Sequence, residues 1–421
     1  MGCREFDAIV LGATGVTGRQ TVIQFAKLGI APKWAIAGRS RVRLEALQRE
    51  WHVPSIVLAD IEDQTSLLGL ASRTRLLLNA TGPYRFFGEP VVRACIEAGT
   101  DYIDLCGEPE FMERMLLLHH DAATQAGVLI CHACAFDSIP ADMGILRCAQ
   151  LFLQAGGECA SVELIHSVDV PMGYCAHDTT FKAAVHGMGS AHDLRKLRND
   201  IDAKFGAVPL ASTMLGKLVM RGQVSSDAKL GKYLVPFIGS DASVVRASRR
   251  MMSNVLAQPG AEQLMPQFGI YFGVASTLSI VKVLMGGAVF RFLADREWGR
   301  NALLRNPSLF TFGAFSETGP TEEQMRNNTW IGDYFAEGLV AGELKRLHLQ
   351  GRLGDPAYVG TSLLFAVVAE TLLQDRGSLA AGGGVFTPAA LFSRSSLLER
   401  LSGRGFELRV VESDLPGVTP R

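Results

Sequence analysis

No strong charge of either sign marks this 421-residue chain: 41 Lys and Arg stand against 42 Asp and Glu, a formal net charge of −1. A chain so balanced has no long-range pull on a polyanion, and nucleic acid drops out of the expected partners. Cysteine is sparse and one-sided. Eight cysteines lie between Cys3 and Cys175 and none follows, so no dense disulfide framework is present. No signal-like segment precedes the first apolar run, and residues 417–421 match no standard peroxisomal or lumen-retention address. A reducing, cytoplasmic setting is the expectation. No Gly-x-Ser-x-Gly elbow and no His-Glu-x-x-His pair occurs, and none of the 7 tyrosines is followed four residues later by lysine. Hydrolase, zinc-protease and short-chain-reductase chemistries therefore lack their groups. Internal repeats and low-complexity linkers are missing too.

What is present begins at the amino terminus. The run Phe6-Asp7-Ala8-Ile9-Val10-Leu11 leads into Gly12-Ala13-Thr14-Gly15-Val16-Thr17-Gly18 and then into helix-compatible sequence. Glycines at this spacing permit a tight strand-to-helix turn, let backbone N–H groups approach a pyrophosphate, and let the helix lie close on the sheet. Short apolar runs then alternate with helical stretches, predicting parallel strands near 6–12, 33–38, 54–58, 75–79, 101–105 and 127–132. Ser40 suits the cap of a helix over 41–51, Pro109 a first helical turn, and Gly127 a stop. The pattern is a six-stranded, doubly wound α/β sheet.

The second strand ends in Ile36-Ala37-Gly38-Arg39-Ser40, without the carboxylate that would accept hydrogen bonds from an NAD ribose. Arg39 and Ser40 there suit the 2′-phosphate of NADP, and the guanidinium can also stack on adenine. The plainer alternative leaves Arg39 solvated and Ser40 as a cap only. Asp60, after the third strand, is a candidate for the adenine edge or an ordinary loop aspartate. After the fourth strand comes Thr81-Gly82-Pro83-Tyr84, small and rigid enough to pass close to a nicotinamide. Tyr84 either donates a proton to substrate or packs its own loop. Asp137 and Ser138, after the sixth strand, either contact ligand or cap the helix that Pro140 opens. Cys131-His132-Ala133-Cys134 reads as part of a strand, with buried thiols rather than a redox or zinc pair.

Several motifs together carry a family resemblance. The glycine loop, Asn79-Ala80-Thr81-Gly82-Pro83-Tyr84 with Gly88-Glu89-Pro90-Val91-Val92, and Ala98-Gly99-Thr100-Asp101-Tyr102-Ile103-Asp104 are followed by Phe136-Asp137-Ser138-Ile139-Pro140-Ala141-Asp142. Farther on come Pro236-Phe237-Ile238-Gly239-Ser240-Asp241, Gly319-Pro320-Thr321-Glu322-Glu323-Gln324 and Gly383-Gly384-Val385-Phe386-Thr387-Pro388-Ala389. In this order they resemble the saccharopine dehydrogenase-like oxidoreductases. The resemblance implies a Rossmann domain, a second α+β domain of the saccharopine-reductase type, and kinship with trans-acting enoyl reductases. It also implies an association of animal relatives with lipid droplets and membranes.

The expected divisions are an NADP-binding domain over 1–150, a second domain over 151–352, and a segment over 353–421 that packs back on the first. Within the second, residues 160–168 and 347–350 alternate as strands, 191–204 is a charged helix with a solvated face, and 356–374 is a long helix. Residues 268–293 are the unusual stretch. Two uncharged pieces, separated at Lys282 and ended by Arg291, each fall short of the roughly 20 residues a spanning helix needs. One reading is insertion into a membrane or droplet surface with both cations at the head groups. The other is a buried helical hairpin, broken at Gly286-Gly287, in the core or in a homodimer interface.

If the cofactor supplies a hydride, the protein must orient an acceptor and deliver one proton. Tyr84 and Asp137 are the catalytic candidates, with His177 more in keeping with a structural place. The expectation is an NADPH-dependent reductase acting on a carbonyl, imine or enoyl group of a lipid-like acceptor. Its rival is a non-catalytic NADP-binding protein attached to lipid surfaces.

Overall fold

The computed structural model describes residues 4–189 and 191–420. The strands are, in chain order, β1 (Phe6–Leu11), β2 (Trp34–Gly38), β3 (Ser55–Leu58), β4 (Thr74–Asn79), β5 (Asp101–Asp104), β6 (Leu129–Cys131), β7 (Gly157–Asp169) and β8 (Ala176–His177). They continue with β9 (Ser225–Asp227), β10 (Lys232–Pro236), β11 (Gln267–Val274), β12 (Phe315–Ser316), β13 (Thr329–Val340), β14 (Glu343–Gly354), β15 (Gly384–Phe386) and β16 (Glu407–Ser413). All six expected strands of the first sheet are present, with ends within two residues of the prediction. A seventh joins them. The order is β15-β6-β5-β4-β1-β2-β3, and every pairing is parallel.

The helices of this region end where the residues say they should. Ser40 accepts from the Arg43 backbone N–H at 3.5 Å and opens the helix Arg41–Trp51. Pro109 occupies the first turn of Pro109–Ala126, and Gly127 stops that helix at φ +65°. The strands are close to continuously apolar and β2 is buried throughout, as expected of a parallel sheet covered on both faces.

The chain divides into two compact units. The first is Met1–Ile139, Leu197–Lys204 and Ala357–Arg404; the second is Pro140–Lys196, Phe205–Pro356 and Gly405–Arg421. These bounds differ from divisions at 150 and 352. The helix Ile139–Gln154 lies almost wholly in the second unit, where the Tyr334 hydroxyl donates to Pro140 O at 2.7 Å, and β16 pairs with β14. In the first unit the helix Val359–Asp375 packs on Val16–Leu28, where the Ser362 hydroxyl donates to Thr17 O at 3.2 Å. The charged helix Ala191–Phe205 does more than face solvent: Arg198 donates to Glu113 at 2.7–3.1 Å, and Lys204 pairs with Asp121 at 2.8 Å.

The second unit is built on a mixed sheet, β16-β14-β13-β7-β11-β10-β9, in which only the β7–β11 pairing is parallel. Here the reading of 268–293 needs correction. Its first half is β11, an interior strand between β7 and β10, and its second half is one helix, Thr277–Ala294, unbroken across Gly286-Gly287. There is no hairpin. The aromatic and β-branched residues of Phe268–Val274 suit a strand, and Ser276, accepting from the Ser279 N–H at 3.1 Å, starts the helix.

Candidate active site at the sheet edge

The carboxyl ends of β1, β2, β3 and β4 bring the predicted residues to one edge of the parallel sheet, with the turn after β6 at the same edge. Gly12 takes φ +80°, and an added Cβ would stand 2.5 Å from Thr81 Oγ1 and 3.1 Å from the Ala80 backbone. At Gly18 a Cβ would run into Gly12 O, so the helix lies as close to the turn as the spacing implied. Thr14 precedes Gly15, the extended residue that opens the helix Val16–Leu28 without a side-chain cap. Val16 and Thr17 form its first turn. A helix amino terminus left open in this way favours an anion.

At the ends of β2 and β3, Arg39, Leu58, Ala59, Asp60 and Ser66 line a cleft of about 220 Å³. Arg39 is exposed at its rim. Asp60 is tied down: its N–H donates to Ser66 Oγ at 3.0 Å, and its Oδ1 accepts from Glu62 N at 3.1 Å. The sequence reading missed Ser66, whose position at the start of a helix carries no distinguishing pattern. Ser40 lies beside Arg39 and serves as the cap already described.

Thr81, Gly82 and Pro83 form the loop after β4. The Thr81 N–H donates to Asn79 Oδ1 at 3.0 Å, while its hydroxyl is buried with no partner among the described residues. An orphaned hydroxyl beside a turn that excludes a Cβ fits a bound dinucleotide. Tyr84 is placed otherwise than a substrate-facing phenol. It opens the helix Tyr84–Ala98, is 5 % exposed, and donates its hydroxyl proton to Asn79 O at 2.9 Å. Burial, with the Asp104 carboxylate adding to it, pushes its phenol well above the usual range. Glu108, unforeseen, accepts from Tyr84 N at 2.8 Å and from Arg85 Nε at 2.6 Å. Asp137 is exposed in the turn after β6, its Oδ2 2.8 Å from where a Gly107 Cβ would stand.

Two further motifs singled out in the sequence are His177 and the segment Cys131–Cys134. His177 belongs to the second unit and pairs with Asp178 at 3.1 Å and Thr179 at 2.9 Å. The strand β6 ends at Cys131, so His132 to Cys134 are loop and not the strand expected from the sequence. Cys131 and Cys134 are nonetheless free, buried thiols.

Comparison with known proteins settles the class. Residues 8–131 match the family model "Saccharopine dehydrogenase NADP binding domain". The chain is 38% identical to the saccharopine dehydrogenase-like oxidoreductase of Mus musculus over 97% of this chain and 98% of that one. It belongs to the saccharopine dehydrogenase-like oxidoreductases. It is also 28% identical, over 95% of its length and 97% of the relative's, to a Caenorhabditis elegans protein named "Lipid droplet localized protein". Among solved structures, saccharopine dehydrogenase (L-Glu forming) from Saccharomyces cerevisiae matches with a TM-score of 0.57 at 11% identity, over 97% of this chain and 100% of that chain. The fold is thus the saccharopine dehydrogenase fold, the first sheet is a Rossmann sheet, and this oxidoreductase uses NADP(H).

Proposed function

We propose that this oxidoreductase transfers hydride from NADPH to a carbonyl, imine or enoyl group of an apolar, lipid-like acceptor, and that the helix Thr277–Ala294 brings it to the lipid. That helix is the observation that carries the reading. Its mean hydropathy is 1.6, and no residue over 281–289 is buried. Helices apolar all round are at home in a core or in lipid, and the middle of this one, residues 281–289, is taken into no core among the described residues. Both ends are anchored on the second unit. Ile280 packs with Val235 and Val274, while Leu293 and Ala294 pack with Phe181, Val185 and Leu303. A helix tied down at both ends on one unit suits lying in a lipid surface, and a partner protein would cover one face only. Lys282 and Arg291 reach the head groups along their apolar stems.

In this reading Gly12, Thr14, Gly15, Val16, Thr17 and Gly18 hold the pyrophosphate. Arg39 and Ser40 hold the 2′-phosphate, Asp60 borders the adenine, and Thr81, Gly82 and Pro83 line the nicotinamide half. When bound, the cofactor supplies the hydride. Asp137, exposed at the sheet edge, is better placed than Tyr84 to orient the acceptor and relay a proton to it from solvent, because the Tyr84 proton is engaged by Asn79 O. The test is NADPH oxidation by purified protein supplied with fractionated cellular lipids, against Asp137→Asn. Turnover that disappears in a variant still binding NADPH supports the reading. Tight NADPH binding with no oxidation across all fractions favours the non-catalytic, lipid-attached alternative.

A further inference from the structure

Beneath the Thr81 loop a line of buried polar side chains connects the ends of β4, β5 and β6. Asn79, which holds the Thr81 N–H, donates its Nδ2 to the Tyr102 hydroxyl at 3.1 Å, and that hydroxyl donates to Asp104 Oδ2 at 2.9 Å. The same oxygen accepts from His132 Nδ1 at 2.7 Å. The other, Oδ1, accepts the backbone N–H groups of Cys106 and Ala133, both at 3.1 Å. Asp104 thereby fills the acceptor capacity of an ionised carboxylate. Because the carboxylate can only accept, Nδ1 of His132 carries the proton; its Nε2, shut away from solvent, has no partner among the described residues. Ala133 reaches Asp104 only by taking φ +58°, a conformation that L side chains rarely adopt. An apolar residue in place of His132 would pack as well and leave Asp104 one donor short.

We propose that Asp104 and His132 act as positioning residues that hold the Thr81 loop in the shape receiving the nicotinamide half of the cofactor. The proposal rests on the placement of that half beside β4, the strand across the switch point from β2 and β3. Neither residue reaches the cofactor. Asp104 orients Tyr102, Tyr102 orients the Asn79 amide, and Asn79 fixes the Thr81 backbone next to the glycine turn. The adenine cleft at Arg39 and Asp60 shares none of these bonds. Loss of the His132 donor should therefore be felt at one end of the dinucleotide only.

The experiment compares full-length wild type, His132→Leu and His132→Asn by calorimetry with NADPH and with 2′,5′-ADP, which carries the adenine half alone, alongside thermal denaturation and bound-NADPH fluorescence. His132→Leu is expected to weaken NADPH about tenfold, leave 2′,5′-ADP within about twofold, and shift the nicotinamide emission. His132→Asn, which keeps a donor near the Nδ1 position, restores most of the affinity. If His132→Leu fails to fold, Tyr102→Phe removes a hydroxyl from the same line and carries the same expectation. Unchanged NADPH affinity in a folded His132→Leu, or equal loss for both ligands, overturns the proposal. Wild type binding 2′,5′-ADP as tightly as NADPH overturns instead the placement of the nicotinamide half, and the proposal with it.

Discussion

The two sheets solve different problems with the same backbone. Strands of the first are short, 6 residues in β1 and 3 in β6, and serve as spacers that bring loops to one edge. In the second, β7 has 13 residues and β13 has 12, and β13 alternates between a buried face bearing Trp330 and Tyr334 and another bearing Asp333 and Phe335. Chemistry in a parallel, doubly covered sheet sits at strand ends, because the strand interiors are taken by the core. A long, largely antiparallel sheet can carry polar groups along a strand, here Asp333, His348 and Gln350 side by side. Substitutions within the second sheet should therefore change stability, and those at the first sheet's edge should change cofactor affinity.

Trp330→Ala tests the stability side most severely. The indole is fully buried, donates to His166 Nδ1 at 3.0 Å, and occupies the space over Gly332 and Gly351 that any Cβ there would enter. Removing it leaves a large cavity and takes away the hydrogen bond to His166, with an expected loss of about 3–5 kcal/mol in unfolding free energy. Denaturant titration measures the loss. Calorimetry on the fraction still folded should return wild-type NADPH affinity; a parallel fall in affinity would erase the distinction between the sheets.

The same contrast explains what could be read in advance. Strands β1 to β6 were legible as apolar runs bounded by glycine and polar turns. The edge strand β15 was not: three residues, Gly384-Val385-Phe386, pair with Leu129-Ile130-Cys131 far back in the chain, and nothing local announces it. β11 was misread because an uncharged strand runs almost directly into an uncharged helix. Ser276, with a hydroxyl in capping position, was the local mark separating them. The glycine turn and the Arg39 rim were legible because their chemistry is contiguous in sequence. The Asp104–His132 line was hidden, since parallel register alone sets Asn79 opposite Asp104 and brings the loop after β6 beside them.

The apolar helix Thr277–Ala294, proposed above to meet lipid, belongs to neither sheet and gives an intermediate effect. Leu284 is 44% exposed, so Leu284→Lys should change folding stability by no more than about 0.5 kcal/mol. It should cost about 2–3 kcal/mol of partition into lipid, read as loss of flotation with phospholipid-coated triolein droplets. Flotation that survives Leu284→Lys and Met285→Lys together would take the helix out of the lipid contact.

At the first sheet's edge, Arg39→Asp should weaken NADPH by about 1.5–3 kcal/mol through loss of a charge-assisted contact to the 2′-phosphate. NADH should bind no worse, and the melting temperature should stay close to wild type because Arg39 is exposed. A melting temperature that falls with the affinity would mean that this edge, too, is structural.

The smallest effect lies in the second sheet and depends on pH. Burial alone raises the Asp333 carboxyl, but hydrogen bonds from His348 Nε2 and Gln350 Nε2, both 2.9 Å, with Lys232 nearby, more than offset this and hold it below its ordinary value. A carboxyl depressed on folding stabilises the native state above its unfolded pKa, about 3.9, and that contribution is lost as pH falls through the folded value. Asp333→Asn should therefore cost roughly 1 kcal/mol at neutral pH and less as the medium is acidified below about pH 4, where the unfolded chain takes up the proton first and the native carboxylate follows at lower pH. Urea titrations of both proteins at neutral and acid pH measure the difference. Parallel stability curves across that range would assign the acid response to other carboxylates and leave Asp333 a packing residue of its sheet.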